Sequence, residues 1–326
     1  MVHRRTRRKE RRDKEMRSLV NIMKLGAVLL WTMSVALSCE HKTLCFDHSH
    51  MADLEIRFDW SGAPEADPNT MVVQLFNIDG SHYQRWEFSS KDGGKIRIEA
   101  GEYRILFHNG EMSSVTERGG MYGDYELTTR QQSLLAPMGR ADMNAPPRPE
   151  EAEDEPVLDV SEEIWGGRYE YVQVLRGTEG QSVTLKPAKA TSEYSVEVRD
   201  VKNMTSSVDI SAALTGMAQS WKIADNILSD QTATISFGLS RKDETTLVAK
   251  FALFGDSPGH DGKHFLSLYT SNKRYKDFDV TDQVHNAPDP KHVQLIVSGL
   301  ELPEEGTGMT PGISGWEEQE FDINMN

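Results

Sequence analysis

From Asp53 to Trp60 the chain alternates without a break. Leu54, Ile56, Phe58 and Trp60 hold one parity, and Asp53, Glu55, Arg57 and Asp59 hold the other. Successive side chains of extended backbone point to opposite faces, so this pattern spells a strand with one buried and one wet side. The pattern recurs. Ile96 and Ile98 face inward within 95–99, as do Tyr194, Val196 and Val198 further on. Within 232–239, Ala233, Ile235, Phe237 and Leu239 share a face. Residues 71–76 form a more continuous apolar run, and 82–88, 101–107, 168–175, 181–185, 246–254, 263–269 and 292–297 read as further strands. Asp79-Gly80 and Asp92-Gly93-Gly94 lie between runs, where a hairpin needs residues that tolerate positive φ. Helical periodicity is confined to 209–218, where a turn or two is expected. The reading is all-β, with many short strands building two sandwiches.

The chain is long enough for two such units, each with its own core. We place the first sandwich at 39–190 and the second at 191–326. Between about 134 and 163 the composition shifts: Pro137, Pro146, Pro147, Pro149 and Pro156 mix with Glu150, Glu151, Glu153, Asp154 and Glu155. So few apolar groups predict an exposed, acidic, extended loop within the first unit. Clustered carboxylates also suit Ca²⁺, but the spacing matches no binding loop, and a solvated charge run is the simpler expectation.

The N-terminal region carries an export signal. The apolar run 25–37 is short of the ~20 residues that span a bilayer. With a basic start and small residues at its end, it has the parts of a secretory signal peptide. Ala36-Leu37-Ser38-Cys39 resembles the cleavage site of a bacterial lipoprotein, although that pattern prefers Leu where Ala36 stands. It implies lipid attachment at Cys39; the alternative is an ordinary secreted protein with Cys39 free or disulfide-bonded. Met16 and Met23 offer better starts than Met1, so 1–38 reads as leader plus signal peptide and its basic arm is assigned no partner. Those residues hold ten basic and three acidic groups of the chain's 36 and 51, so the remainder carries 26 against 48, a net of −22. Such acidity opposes nucleic-acid binding and favours solubility. The two cysteines, Cys39 and Cys45, both fall at the start of the processed chain, so the body folds without disulfides.

Sites of chemistry are few. Cys45, His48 and His50 are a weak metal candidate beside Cys39, because zinc takes four N or S ligands and no second ligand pair follows. His82, His108, His260 and His264 are scattered along the sequence. Metalloprotease, nucleophile-elbow and phosphate-loop patterns are missing, and Gly259-His260-Asp261-Gly262 reads as a loop tip, so no catalytic residue and no cofactor is expected. Trp60, Trp86, Trp165, Trp221 and Trp316 raise the alternative of a glycan-stacking surface. Trp60 and Trp86 fall on strand patterns and are expected in the core; Trp221 and Trp316 are less constrained.

Several segments together resemble the fimbrillin-like anchor and minor-subunit lipoproteins of anaerobic diderm bacteria. Cys39 followed by Cys45 to His50, then a strand ending Phe58-Asp59-Trp60, is similar to the start of one such lipoprotein domain of unknown function. Ala100-Gly101-Glu102-Tyr103 is similar to the turn that opens a strand in transthyretin-like sandwiches. Glu162-Glu163-Ile164-Trp165-Gly166 resembles the segment that rejoins the first sandwich after the long loop, and the stretch from Ser211 to Ala218 resembles the Leu-Ser-Gly-Met element of the second, fimbrillin-type domain. The resemblance covers 39 to about 300 and implies two transthyretin-like β-sandwiches on an acylated N-terminus. It implies a non-enzymatic, outer-membrane or cell-surface fimbrial anchor or accessory subunit. Its partners would be the membrane, through lipid on Cys39, and other fimbrial subunits, through strand addition. Residues 313–323, with Trp316 and Phe321, read as a terminal strand, either packed at home or exchanged. The rival reading is a surface lipoprotein that binds glycan or another ligand.

Overall fold

A computed structural model describes residues 50–141, 146–204, 209–270, 274–302 and 317–318. The chain divides into two units, 1–49 and 50–326, and every described residue lies in the second. That unit is nearly all β, its sheets forming sandwich-like domains. No helix among the described residues is long and apolar enough to cross a membrane.

The first pair of sheets follows from the alternating runs. Met51–Phe58 sits at the centre of a three-stranded sheet, antiparallel to Gly93–Glu99 and parallel to Ser182–Leu185. Opposite it, a five-stranded sheet runs in the order Ala188–Lys189, Trp165–Val174, Gly101–Asn109, Met71–Asn77, His82–Phe88. Leu54, Ile56, Ile96, Ile98, Val73, Leu75, Ile105 and Phe107 fill the space between. Each such side chain, fully buried, contributes about 1.5–3 kcal/mol. Register is fixed at one end by Gly93 (φ +91°): a Cβ there would lie 2.2 Å from the carbonyl oxygen of Ile56.

A second pair is built the same way. A four-stranded sheet takes the order Ser240–Arg241, Leu247–Leu253, Ser192–Arg199, His292–Ser298. A six-stranded sheet takes the order Glu317–Glu318, Arg274–Asp279, Phe265–Thr270, Ile210–Ala218, Thr232–Gly238, Val157–Leu158. Tyr194, Val196, Val198, Leu214, Ile235, Leu266, Leu268 and Leu295 close the core between them.

Here two expectations are corrected. Residues 209–218 do not form helical turns: Ile210–Ala218 is a strand buried along almost its whole length. It has neighbours on both edges and packing on both faces, so its small side chains show no period-2 alternation. The acidic Pro-rich stretch is not simply an exposed loop. Glu150, Glu151, Glu153 and Asp154 are exposed, yet Leu134, Leu135 and Leu158 are buried. Val157–Leu158 adds in parallel to Thr232–Gly238, pairing Leu158 with Ile235. Isolated apolar residues in a polar stretch gave no periodic signal, and a two-residue strand needs none.

A further sheet joins segments distant in sequence. Val115–Arg118 pairs with Glu126–Thr129, which pairs with Ser220–Lys222, which pairs with Ile227–Leu228. Trp221 stands directly opposite Leu127. Both belong to a cluster with Phe76, Leu106, Tyr122, Tyr125, Ile164 and Phe254. Met71–Asn77 therefore has apolar packing on both faces, which explains its continuous apolar run.

Candidate functional site

An all-β protein with open sheets can act through its edges, where unpaired backbone groups await a partner. Several edges are closed from within. The outer strand His292–Ser298 is covered at its middle by the helix Thr281–His285, whose Gln283 bonds Ile296 twice. Trp165–Val174 is paired on its outer side only at Trp165 and Gly166, by Lys189 and Ala188. Beyond them lie the exposed Tyr169 and Tyr171 and a bulge that interrupts pairing with Gly101–Asn109. Bulges bend an edge away from new partners. On the six-stranded sheet, Glu317–Glu318 occupies the outermost position through two pairs, Arg274 with Glu318 and Tyr275 with Glu317. Past Tyr275, Arg274–Asp279 has no outer strand neighbour among the described residues.

The sheet that carries Trp221 covers a polar network. Gln74 donates to the Glu117 carboxylate (3.0 Å) and to the Tyr125 hydroxyl (3.1 Å), and its own oxygen lies 2.8 Å from His82 Nε2. Glu117 also lies 3.5 Å from the buried His108 and 3.4 Å from Arg85. The hydrogen bond to His108 is the main reason its carboxyl is held down at about 2. Burial pushes the Tyr125 hydroxyl up. A comparable anchor lies in the acidic stretch: Glu155, buried, accepts from the Gly216 amide at 3.1 and 3.2 Å and from the Thr234 hydroxyl at 2.7 Å.

Of the residues singled out in the sequence, Cys39, Cys45 and His48 lie outside the described residues, as does Trp316. His50 is described, 3.8 Å from Glu99. The tryptophans form no stacking platform among the described residues. Trp165 and Trp221 are buried; Trp60 donates to the Lys91 carbonyl at 2.8 Å, and Trp86 packs on the first core. Trp221, unconstrained by sequence pattern, is core because it faces Leu127 across the joining sheet. The histidines are scattered along the sequence. His264 and His285 in fact meet, because Phe265–Thr270 and Arg274–Asp279 form an antiparallel pair that returns the chain, setting Phe265 opposite Asp279.

These features place the protein among all-β, multi-sheet sandwich proteins. The chain belongs to the family described as a domain of unknown function (DUF5119), whose model matches residues 38–238. No curated protein matches it. Among solved structures, a candidate adhesin from Bacteroides ovatus shares 16% identity over 83% of this chain and 98% of its own, with a TM-score of 0.57. The fimbrial anchor protein Mfa2 from Porphyromonas gingivalis shares 12% identity over 75% and 89%, with a TM-score of 0.47. A candidate polysaccharide-binding protein from Bacteroides thetaiotaomicron shares 12% over 76% and 90%, with a TM-score of 0.48. At these identities the first likeness is one of fold.

Proposed function

We propose that the protein is a non-enzymatic cell-surface subunit, an anchor or accessory component of a fimbria, tethered to the outer membrane by lipid on Cys39. It engages partner subunits by strand addition. The observation that carries this reading is the strand Glu317–Glu318 at the edge of the six-stranded sheet, beside Arg274–Asp279. An edge strand can give way to an extended segment from a neighbouring subunit, and the edge Arg274–Asp279 supplies the backbone template. The fold shared with a candidate adhesin supports a role in binding rather than catalysis.

On this reading lipid on Cys39 holds the first sandwich (39–190) near the membrane and leaves the second (191–326) outward. Firm attachment requires more than one acyl chain, as a lipidated N-terminal cysteine provides. Two experiments test the parts separately. Mass spectrometry of the N-terminal peptide from membrane-extracted protein is expected to show a Cys39 start with acyl mass, and Cys39→Ala is expected to release the protein. An unmodified start would refute the tether. A photo-crosslinking residue at Lys276 in intact cells is expected to trap another fimbrial subunit. Display at the surface without any such adduct would refute strand addition at this edge.

A further inference from the structure

We propose that Asp256, His264 and His285 form a binding site for a divalent transition-metal ion, with zinc the best match. The three residues come from separate elements. Asp256 follows the strand Leu247–Leu253 and bridges to Met217, just past the irregularity in Ile210–Ala218. His264 immediately precedes Phe265–Thr270, and His285 ends the helix Thr281–His285.

The orientation of His264 is decided by its surroundings. Its ring is wholly buried, and Nδ1 lies 2.8 Å from the Thr215 carbonyl oxygen. A carbonyl only accepts, so Nδ1 carries a proton, and when the ring is neutral its Nε2 presents a lone pair. That lone pair faces His285 Nε2 at 3.0 Å and Asp256 Oδ1 at 3.2 Å. A proton on His285 Nε2 would satisfy the two rings. It would leave Asp256 Oδ1, inaccessible to solvent and without a hydrogen-bond donor, beside a nitrogen that has no hydrogen to give. One cation among the three atoms satisfies all of them. A ligating imidazole whose other nitrogen donates to a backbone carbonyl is the usual support for such a site.

The distances agree. Tetrahedral zinc with bonds of about 2.0–2.1 Å sets its ligand atoms roughly 3.3–3.4 Å apart. The observed separations are 3.0 Å between the rings and 3.2 Å from His264 to Oδ1, and His285 lies 3.7 Å from the other oxygen of the same carboxylate, Oδ2. Asp256 and His285 are each about a third exposed or slightly less, with side-chain values of 35% and 29%, which leaves a route from solvent. Two imidazoles and a carboxylate suit zinc and its neighbours better than Ca²⁺ or Mg²⁺, which take oxygen. Three protein ligands leave a fourth position for water or for a donor from a partner.

The strand irregularity makes room for this arrangement. Gly216 adopts φ +79°, and a Cβ there would fall 2.6 Å from His264 Nδ1 and 2.7 Å from His260 Nε2. His260 packs edge-on against His264, 4.9 Å between ring centres, and is the nearest further imidazole.

The test is titration of the untagged full chain with Co²⁺ and then Zn²⁺, followed by visible absorption. We expect one equivalent of Co²⁺ with visible bands of nitrogen–oxygen ligation, no thiolate charge-transfer band, and displacement by zinc. Removing a supporting partner of a metal ligand already weakens binding about 10–100-fold, so Asp256→Asn and His285→Ala should each weaken it more than about 100-fold. Both side chains are partly exposed, and circular dichroism will verify that the variants fold. His292→Ala, and a chain with Cys39→Ser, Cys45→Ser, His48→Ala and His50→Ala together, should bind as before. Absence of an equivalent bound at millimolar Co²⁺ would overturn the proposal, as the signature of a triad holding only a proton. Bands that survive Asp256→Asn and His285→Ala but vanish in the N-terminal variant would also overturn it, moving the metal to the N-terminal cluster.

Discussion

The carboxamide of Gln283 takes the place of a missing strand beside Ile296. Its Nε2 donates to the Ile296 carbonyl at 3.1 Å, and its oxygen accepts from the Ile296 amide at 2.7 Å. One side chain thereby satisfies both backbone groups that Ile296 turns outward, and the helix that carries it covers this part of the edge. Covering an edge in this way is a defence against unwanted pairing.

Gln283→Ala is therefore expected to lower stability by about 1–2 kcal/mol, the value of two partly solvated hydrogen bonds. It should also promote self-association through the uncovered edge. Urea unfolding measures the first effect and sedimentation velocity the second. A variant of unchanged stability that remains monomeric would show the seal to be idle.

The Glu117 network gives a pH dependence of definite sign. The folded state holds this carboxyl at about 2, below its ordinary 4.5, chiefly through His108. A depressed carboxyl stabilises the fold fully above about pH 4.5, and the contribution is lost as pH falls from there towards 2. In Glu117→Gln the stability curve should be flatter across that window. Because Glu117 is a third exposed, solvent screens part of the effect, and the slope is the quantity to compare. Chemical unfolding at a series of pH values is the measurement.

Trp221 and Leu127 face each other across the sheet that joins the two halves of the body. With this cluster intact, calorimetry should show a single unfolding transition. Trp221→Ala removes a large buried side chain at a cost of about 3–5 kcal/mol. It should split the transition in two, the two pairs of sheets then melting apart. A single transition shifted to lower temperature would mean that the two halves remain one cooperative unit without it.

Glu155 ties the acidic stretch to the second core by accepting from Gly216 and Thr234. Bonds to a charged group are worth about 1.5–3 kcal/mol each, so Glu155→Ala should destabilise by at least about 2 kcal/mol. Glu153→Ala, at an exposed neighbour, should change stability by less than about 0.5 kcal/mol. Thermal melts of the pair separate a structural carboxylate from a solvated one.

The sequence by itself determined the fold class and most of the strands. Alternation at 53–60, 95–99, 194–198 and 232–239 requires one buried face, and short-range periodicity is enough to announce that. It failed where burial is not one-sided or where the element is too short for a period. Ile210–Ala218 is packed on both faces and lost its alternation; Val157–Leu158 and Glu126–Thr129 gain their meaning from distant partners. Side-chain sites behaved in the same way. The polarity of Glu155 was legible, but its burial depends on a glycine amide 61 residues away. The meeting of His264 with His285 depends on the antiparallel return of the chain between them, and that of Asp256 with both depends on the bridge to Met217. Tertiary structure decided these because pairing register, unlike periodicity, joins positions with no local relation.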